Sequence, residues 1–200
     1  MTHIGHSEKV FIMRILITVL VLIFTFQSLS KADDISDFEI DGISIGDSAY
    51  KFFNDNEINE AIDESYVDKE YLTKTFYSKK LNSYEFIQIS YKANDNNKVI
   101  VSIVGAKIYK NNINKCKKQM YKISSEMTDL FPSAIKKDWG KYENNDSSET
   151  GHYFPITFDF ENGSTAMVSC HDYTEETGID DNLKVSLFEA KYSKYLERKN

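Results

Sequence analysis

His152, His171, Asp172, Glu175 and Glu176 form the densest group of chemically capable side chains in this 200-residue chain. Two imidazoles beside carboxylates are the raw material of a zinc site or of an acid/base pair in a hydrolase. No HExxH or other tight ligand spacing accompanies them. The plainer expectation is a set of exposed strand-end residues, with His152, His171, Asp172 and Glu175 kept as a polar cluster and no metal or catalytic role assigned. No GxSxG elbow is present to build a serine nucleophile. Gly42, Gly46 and their neighbours do not match the phosphate-binding GxxxxGK[ST] pattern. Asp180-Asp181-Asn182 lacks the spacing and terminal Glu of a calcium loop. No cofactor is expected.

Cys116 and Cys170 are the only cysteines. A redox pair would call for CxxC spacing, and a soft-metal site for further thiols or adjacent His. A single disulfide fits better, closing a loop of about 54 residues worth ~4 kcal/mol in the chain-entropy model. That reading requires an oxidising compartment.

Residues 13–32 supply one. Arg14 precedes an apolar run from Ile15 to Phe26, and Ser30-Lys31-Ala32 places small residues where a signal peptidase cuts. The run is shorter than the ~20 residues a membrane span needs. Residues 1–12 read as an extension from an upstream start, 13–32 as a signal peptide and 33–200 as a single domain. The expected location is periplasmic or secreted, with no membrane span in the mature chain. Lys9, Arg14 and Lys31 leave with the signal against only Glu8, so the remainder is more acidic than the whole chain's net −7. Such a surface is repelled by phosphate backbones, which excludes nucleic acid as a partner.

The elements that hold these residues follow from periodicity. Tyr71–Tyr77, Tyr84–Lys92 and Lys98–Tyr109 read as an antiparallel meander. Ile113, Cys116, Met120, Ile123, Met127 and Leu130 repeat at helical spacing, placing a helix over Asn111–Leu130 that ends before Pro132. His152–Phe160 and Thr165–Tyr173 read as a hairpin about Asn162-Gly163, Leu183–Phe188 as a last strand and Glu189–Lys199 as a tail helix. The expected fold class is α+β: an antiparallel sheet of five to six strands, the long helix (about 111–130) packed on one face, and short terminal helices.

Hairpin register decides where the histidines point. A two-residue turn pairs Phe158 with Met167 and puts both imidazoles on one face. A three-residue loop with Gly163 left-handed pairs Phe158 with Val168, sets Ile156 beside Cys170 and separates the histidines. Cys170 must face the helix that carries Cys116, so the second register is expected.

Lys115, Lys117, Lys118 and Lys122 read as a solvated helix face. Tyr66, Tyr71, Tyr77, Tyr84 and Tyr91 suit a ligand surface, although half-buried sheet tyrosines need no ligand.

The strings DDISDFEIDGISIGDS and VSCHDYTEETGIDDNLKVSL, with the CxxxM pattern of the helix, resemble a family of small exported proteins from AT-rich marine bacteria. The resemblance spans residues 33–200 and implies export, but no activity, cofactor or site. GISIGDSAYKFF has a fainter similarity to the start of outer-membrane assembly lipoproteins and β-lactamase-inhibitor-like repeats, without their lipid-accepting Cys or second repeat. The expected function is a non-enzymatic module binding an envelope protein or a small ligand. The alternatives are a hydrolase using His152 and His171, and a structural or stress-related envelope protein.

Overall fold

Strands dominate this chain because long stretches alternate small or apolar residues on both faces of a sheet. The computed structural model describes residues 34–77, 81–144 and 150–199. The signal-peptide and upstream-start readings therefore lie outside the described residues. β1 (Glu39–Ile40) and β2 (Ile43–Ser44) make a two-stranded sheet. β3 (Ile62–Asp63), β4 (Tyr71–Phe76), β5 (Phe86–Lys92), β6 (Ile100–Ile108), β7 (Ile135–Asp138), β8 (Tyr142–Asn144), β9 (Gly151–Asp159), β10 (Thr165–Tyr173) and β11 (Asn182–Phe188) make the second. Its order is β3-β4-β5-β6-β11-β10-β9-β7, with β8 also on the outer side of β9, and every pairing is antiparallel. The α-helices are α1 (Asp55–Glu60), α2 (Ile113–Leu130) and α3 (Ala190–Glu197).

This corrects the α+β expectation of five to six strands with a helical layer. Among the described residues the fold is mostly β, with nine strands in one sheet, two in another and three α-helices as accessories. The missed strands carry no alternation. All four residues of β7 are exposed, so pairing with β9 rather than a buried face gives that strand its shape.

The two faces of the large sheet differ in chemistry. One is apolar and forms continuous rows across the strands: Ile156, Val168, Val185, Gly105 and Ile87 in one, Phe158, Ala166, Leu187, Ile103 and Ile89 in the next. Met120, Met127 and Phe131 are buried in the same core, and Phe131 meets Phe158 and Phe160. α2 begins where Asn112 Oδ1 accepts from the Lys115 amide at 3.1 Å, occupying one of the orphan donors of the first turn. Cys116 of this helix is bonded to Cys170 of β10, and both are fully buried.

The hairpin turn begins one residue earlier than the sequence reading places it. Glu161-Asn162-Gly163 form the loop, closed by Gly163 N–H to Phe160 O at 2.9 Å and Phe160 N–H to Ser164 O at 3.0 Å. Gly163 has φ +86°, which a side chain would resist. Phe158 therefore pairs with Ala166, not Val168, and Cys170 lies opposite Phe154, not Ile156. A two-residue slip preserves the face, so Cys170 still points into the core.

On the opposite face, Thr73, Ser90, Ser102 and Ser186 are buried hydroxyl residues. They make a smooth floor for α3. Ser90 Oγ donates to Tyr192 Oη at 3.0 Å, and Tyr195 Oη donates to Asp68 Oδ1 at 2.8 Å. Covering this floor with a short helix leaves the β9-β10 end of the face open.

Candidate functional site

The sequence-derived polar cluster is split by the sheet. His152 pairs with Asp172, and both side chains lie on the disulfide face at the end of β9 and β10. With Glu175, Asp181 and Ile113 they border a cleft of about 400 Å³. His171 pairs with Tyr153 on the other face. The two imidazoles are thus separated by the backbone layer and cannot share a ligand. Asp181 is only 3% exposed. Burial, then the neighbouring Asp172 charge, raise its carboxyl above the usual value. His152 Nδ1 is buried without a hydrogen-bond partner among the described residues. No set of three or more His, Cys, Asp or Glu able to hold a metal occurs among those residues. Glu176 is exposed beside this cleft's loop.

The tyrosines named from sequence are mostly structural. Tyr71 and Tyr91 are buried, and Tyr71 packs on Tyr192 and Tyr195. Burial, helped by Asp41, pushes the Tyr84 hydroxyl up to about 12. Tyr66 meets Tyr195 edge-on, and Tyr77 leans on Phe86.

A different aromatic set lines the open end of the hydroxyl face. The register of β7 and β8 on β9 explains it. Trp139 N–H donates to Pro155 O at 3.1 Å, continuing the β7 alignment, and Tyr142 stands directly opposite Tyr153. Trp139 and Tyr142 meet edge-to-face with planes at 73° and centroids 6.3 Å apart, and Tyr142 and Tyr153 are tilted by 37° at 5.6 Å. Tyr153 lies nearly parallel to His171 at 5.7 Å, and His171 to Tyr173 at 5.8 Å. Five rings thus run in one row from the sheet edge to β10.

Beside this row is a groove of about 440 Å³. Pro155, Thr157 and Met167 form its floor, and Leu196 and Glu197 of α3 form the far wall. Trp139 is 46% exposed and Tyr142 41%, so their rings present contact area to solvent. Comparison with protein-family models, with curated proteins and with solved structures gives no match.

Trp139 and Asp159 of the groove, and His171 of the adjoining row, each have a bonded partner. Trp139 Nε1 donates to Thr157 Oγ1 at 3.0 Å. Lys137 is tied to Asp159 at 2.7 Å. Ser169 Oγ lies 3.0 Å from His171 Nε2. Burial, then the Lys184 charge, hold the His171 imidazole well below its usual value, so the ring in the aromatic row is neutral. Sequence reading overlooked Trp139 and Tyr142 because GKYENN has loop composition. The available signal was Tyr153-x-Pro155-x-Thr157, alternating against Phe154, Ile156 and Phe158 and therefore marking a second, less apolar face.

Proposed function

We propose that this protein is an exported, non-enzymatic binding module that takes a ligand in the groove between the aromatic row and α3. The exposed Trp139–Tyr142 pair, beside Tyr153 above a concave floor, carries the reading. Large aromatic rings at a concave surface supply contact area at low entropic cost. The volume falls in the range of small-ligand sites, about 300–1,000 Å³. Export is supported by the 13–32 segment, by the Cys116–Cys170 disulfide and by the resemblance to small exported proteins. No helix among the described residues is long and apolar enough to cross a membrane.

Thermal unfolding of the full chain in the presence of a metabolite panel (oligosaccharides, amino acids, nucleosides, choline and fatty acids) tests this proposal. The expected result is a saturable rise in Tm with one class, abolished by Met167→Glu in the groove floor. No rise with any class, or a rise unaffected by Met167→Glu, would contradict it.

A further inference from the structure

The chemistry of the groove narrows the ligand class, on the premise that the groove is the binding site. We propose that it binds a neutral saccharide chain, with sugar rings stacked on Trp139, Tyr142 and Tyr153 and their hydroxyls bonded along the Thr157–Asp159 side and to Glu197.

Other ligand chemistries fit the groove less well. Asp159 and Glu197 are acidic, and Lys137 already belongs to Asp159, so an anion would meet repulsion. A quaternary ammonium needs a gap surrounded by ring faces. Here the rings touch one another, at 6.3 and 5.6 Å between centroids, and leave no such gap. An acyl chain would match Met167 and Leu196 but would desolvate Thr157, Thr165, Asp159 and Glu197 without replacing their hydrogen bonds. A protein partner normally buries about 800 Å² per side, whereas this is a short groove beside sheet edges of four and three residues.

A pyranose has both properties the site asks for. Its axial C–H faces are apolar and slightly positive, complementary to the negative faces of indole and phenol. Its equatorial hydroxyls donate to carboxylates and exchange hydrogen bonds with threonine. Thr157 Oγ1 accepts from Trp139 and keeps its own proton to donate, so it can serve a sugar oxygen without releasing the indole. The groove runs from β7 and β8 across β9 and β10 to Phe188 of β11 beside α3, three strand spacings or about 14 Å. That length exceeds one sugar ring and predicts chain binding over monosaccharide binding.

Isothermal titration of the full chain with soluble hexasaccharides decides the matter. The probes are β-1,4-glucan, β-1,3-glucan, α-1,4-glucan and β-1,4-linked N-acetylglucosamine, with glucose, choline and a lysine octapeptide alongside. We expect saturable binding of at least one hexasaccharide and at least about tenfold weaker binding of its monosaccharide. Tyr142→Ala and Trp139→Ala should each weaken the hexasaccharide about tenfold, the loss of one stacked ring. Saturation-transfer difference NMR should show the sugar C–H protons receiving magnetisation from aromatic protons. Choline or the peptide binding where no hexasaccharide does would overturn the saccharide assignment and leave the groove standing. So would failure of every hexasaccharide while another class raises Tm in a Met167-dependent way. Failure of all probes in both experiments would sink the groove itself.

Discussion

His171 lies opposite Tyr153 across β9 and β10 while His152 lies opposite Asp172, so the two histidines project from opposite faces of one sheet. One histidine therefore belongs to the acidic cleft and the other to the aromatic row.

His171 makes the native state sensitive to mild acid. Burial and Lys184 depress its folded pKa below the unfolded value of 6.5. Above 6.5 the ring is neutral in both states and costs nothing. As pH falls below 6.5 the unfolded chain binds a proton that the folded chain refuses, so stability is lost by up to about 1.4 kcal/mol per pH unit. Urea midpoints should drop between pH 7.5 and 5.5 in the wild type and change much less in His171→Phe, which keeps a ring between Tyr153 and Tyr173. Asp63, held to about 2 chiefly by its hydrogen bonds to Ser65 and then by Lys74, loses its contribution only below about pH 4. The two windows are separable.

The disulfide should be the largest single stabilising cross-link. It closes a 54-residue separation and both cysteines are buried. A Cys116→Ala, Cys170→Ala double variant should lose about 4 kcal/mol in the chain-entropy model. Equilibrium denaturation with and without reductant measures this, and thiol titration of the native protein should find no reactive thiol. Loss below about 1 kcal/mol would show that the helix is held by packing alone.

Gly105 leaves no room for a side chain on the apolar face. A Cβ there would stand 2.8 Å from Ile40 Cγ2 and 2.9 Å from the Tyr84 ring. Gly105→Ala should destabilise by about 1–3 kcal/mol through overpacking, read from the urea midpoint. Ile40→Ala removes the Cγ2 methyl, so it should cost less in the Gly105→Ala background than in the wild type.

Tyr195 pins α3, and hence one wall of the groove, to the loop before β4. Tyr195→Phe removes the bond to Asp68, a carboxylate that Lys199 and Tyr195 together hold at about 2. The cost should be about 1 kcal/mol. Ligand affinity should also fall, although Tyr195 does not line the groove, because Leu196 and Glu197 follow it on α3. Unchanged affinity would show that Tyr192, the Arg198–Glu70 and Lys199–Asp68 pairs and ring packing position the helix wall without this hydrogen bond.

What the sequence made legible depended on whether a residue's environment is local. Cys116 and Cys170 could be paired because the only alternatives needed neighbours that are absent. The hairpin about Asn162-Gly163 was legible because its turn chemistry is local. Its register was not, because Phe160 can close the loop or continue the strand. β7 and β8 were invisible, since Ile135–Asp138 bury nothing and are ordered by pairing with β9. The groove depends on those two strands, so Trp139 and Tyr142 could not be placed from their own surroundings. The α+β expectation failed for the same reason: a periodic helix is conspicuous in sequence, whereas short exposed edge strands are not.

Saccharide binding in the groove beside Trp139 has a direct reporter in the indole itself. Trp139 is the only tryptophan, so its indole Nε1–H gives one isolated peak in a ¹H–¹⁵N spectrum. Titration with the tightest-binding hexasaccharide should move that peak saturably, in step with the calorimetric isotherm, and Met167→Glu should abolish the movement. An indole peak that stays fixed while the saccharide binds would place the sugar outside this groove and overturn the assignment.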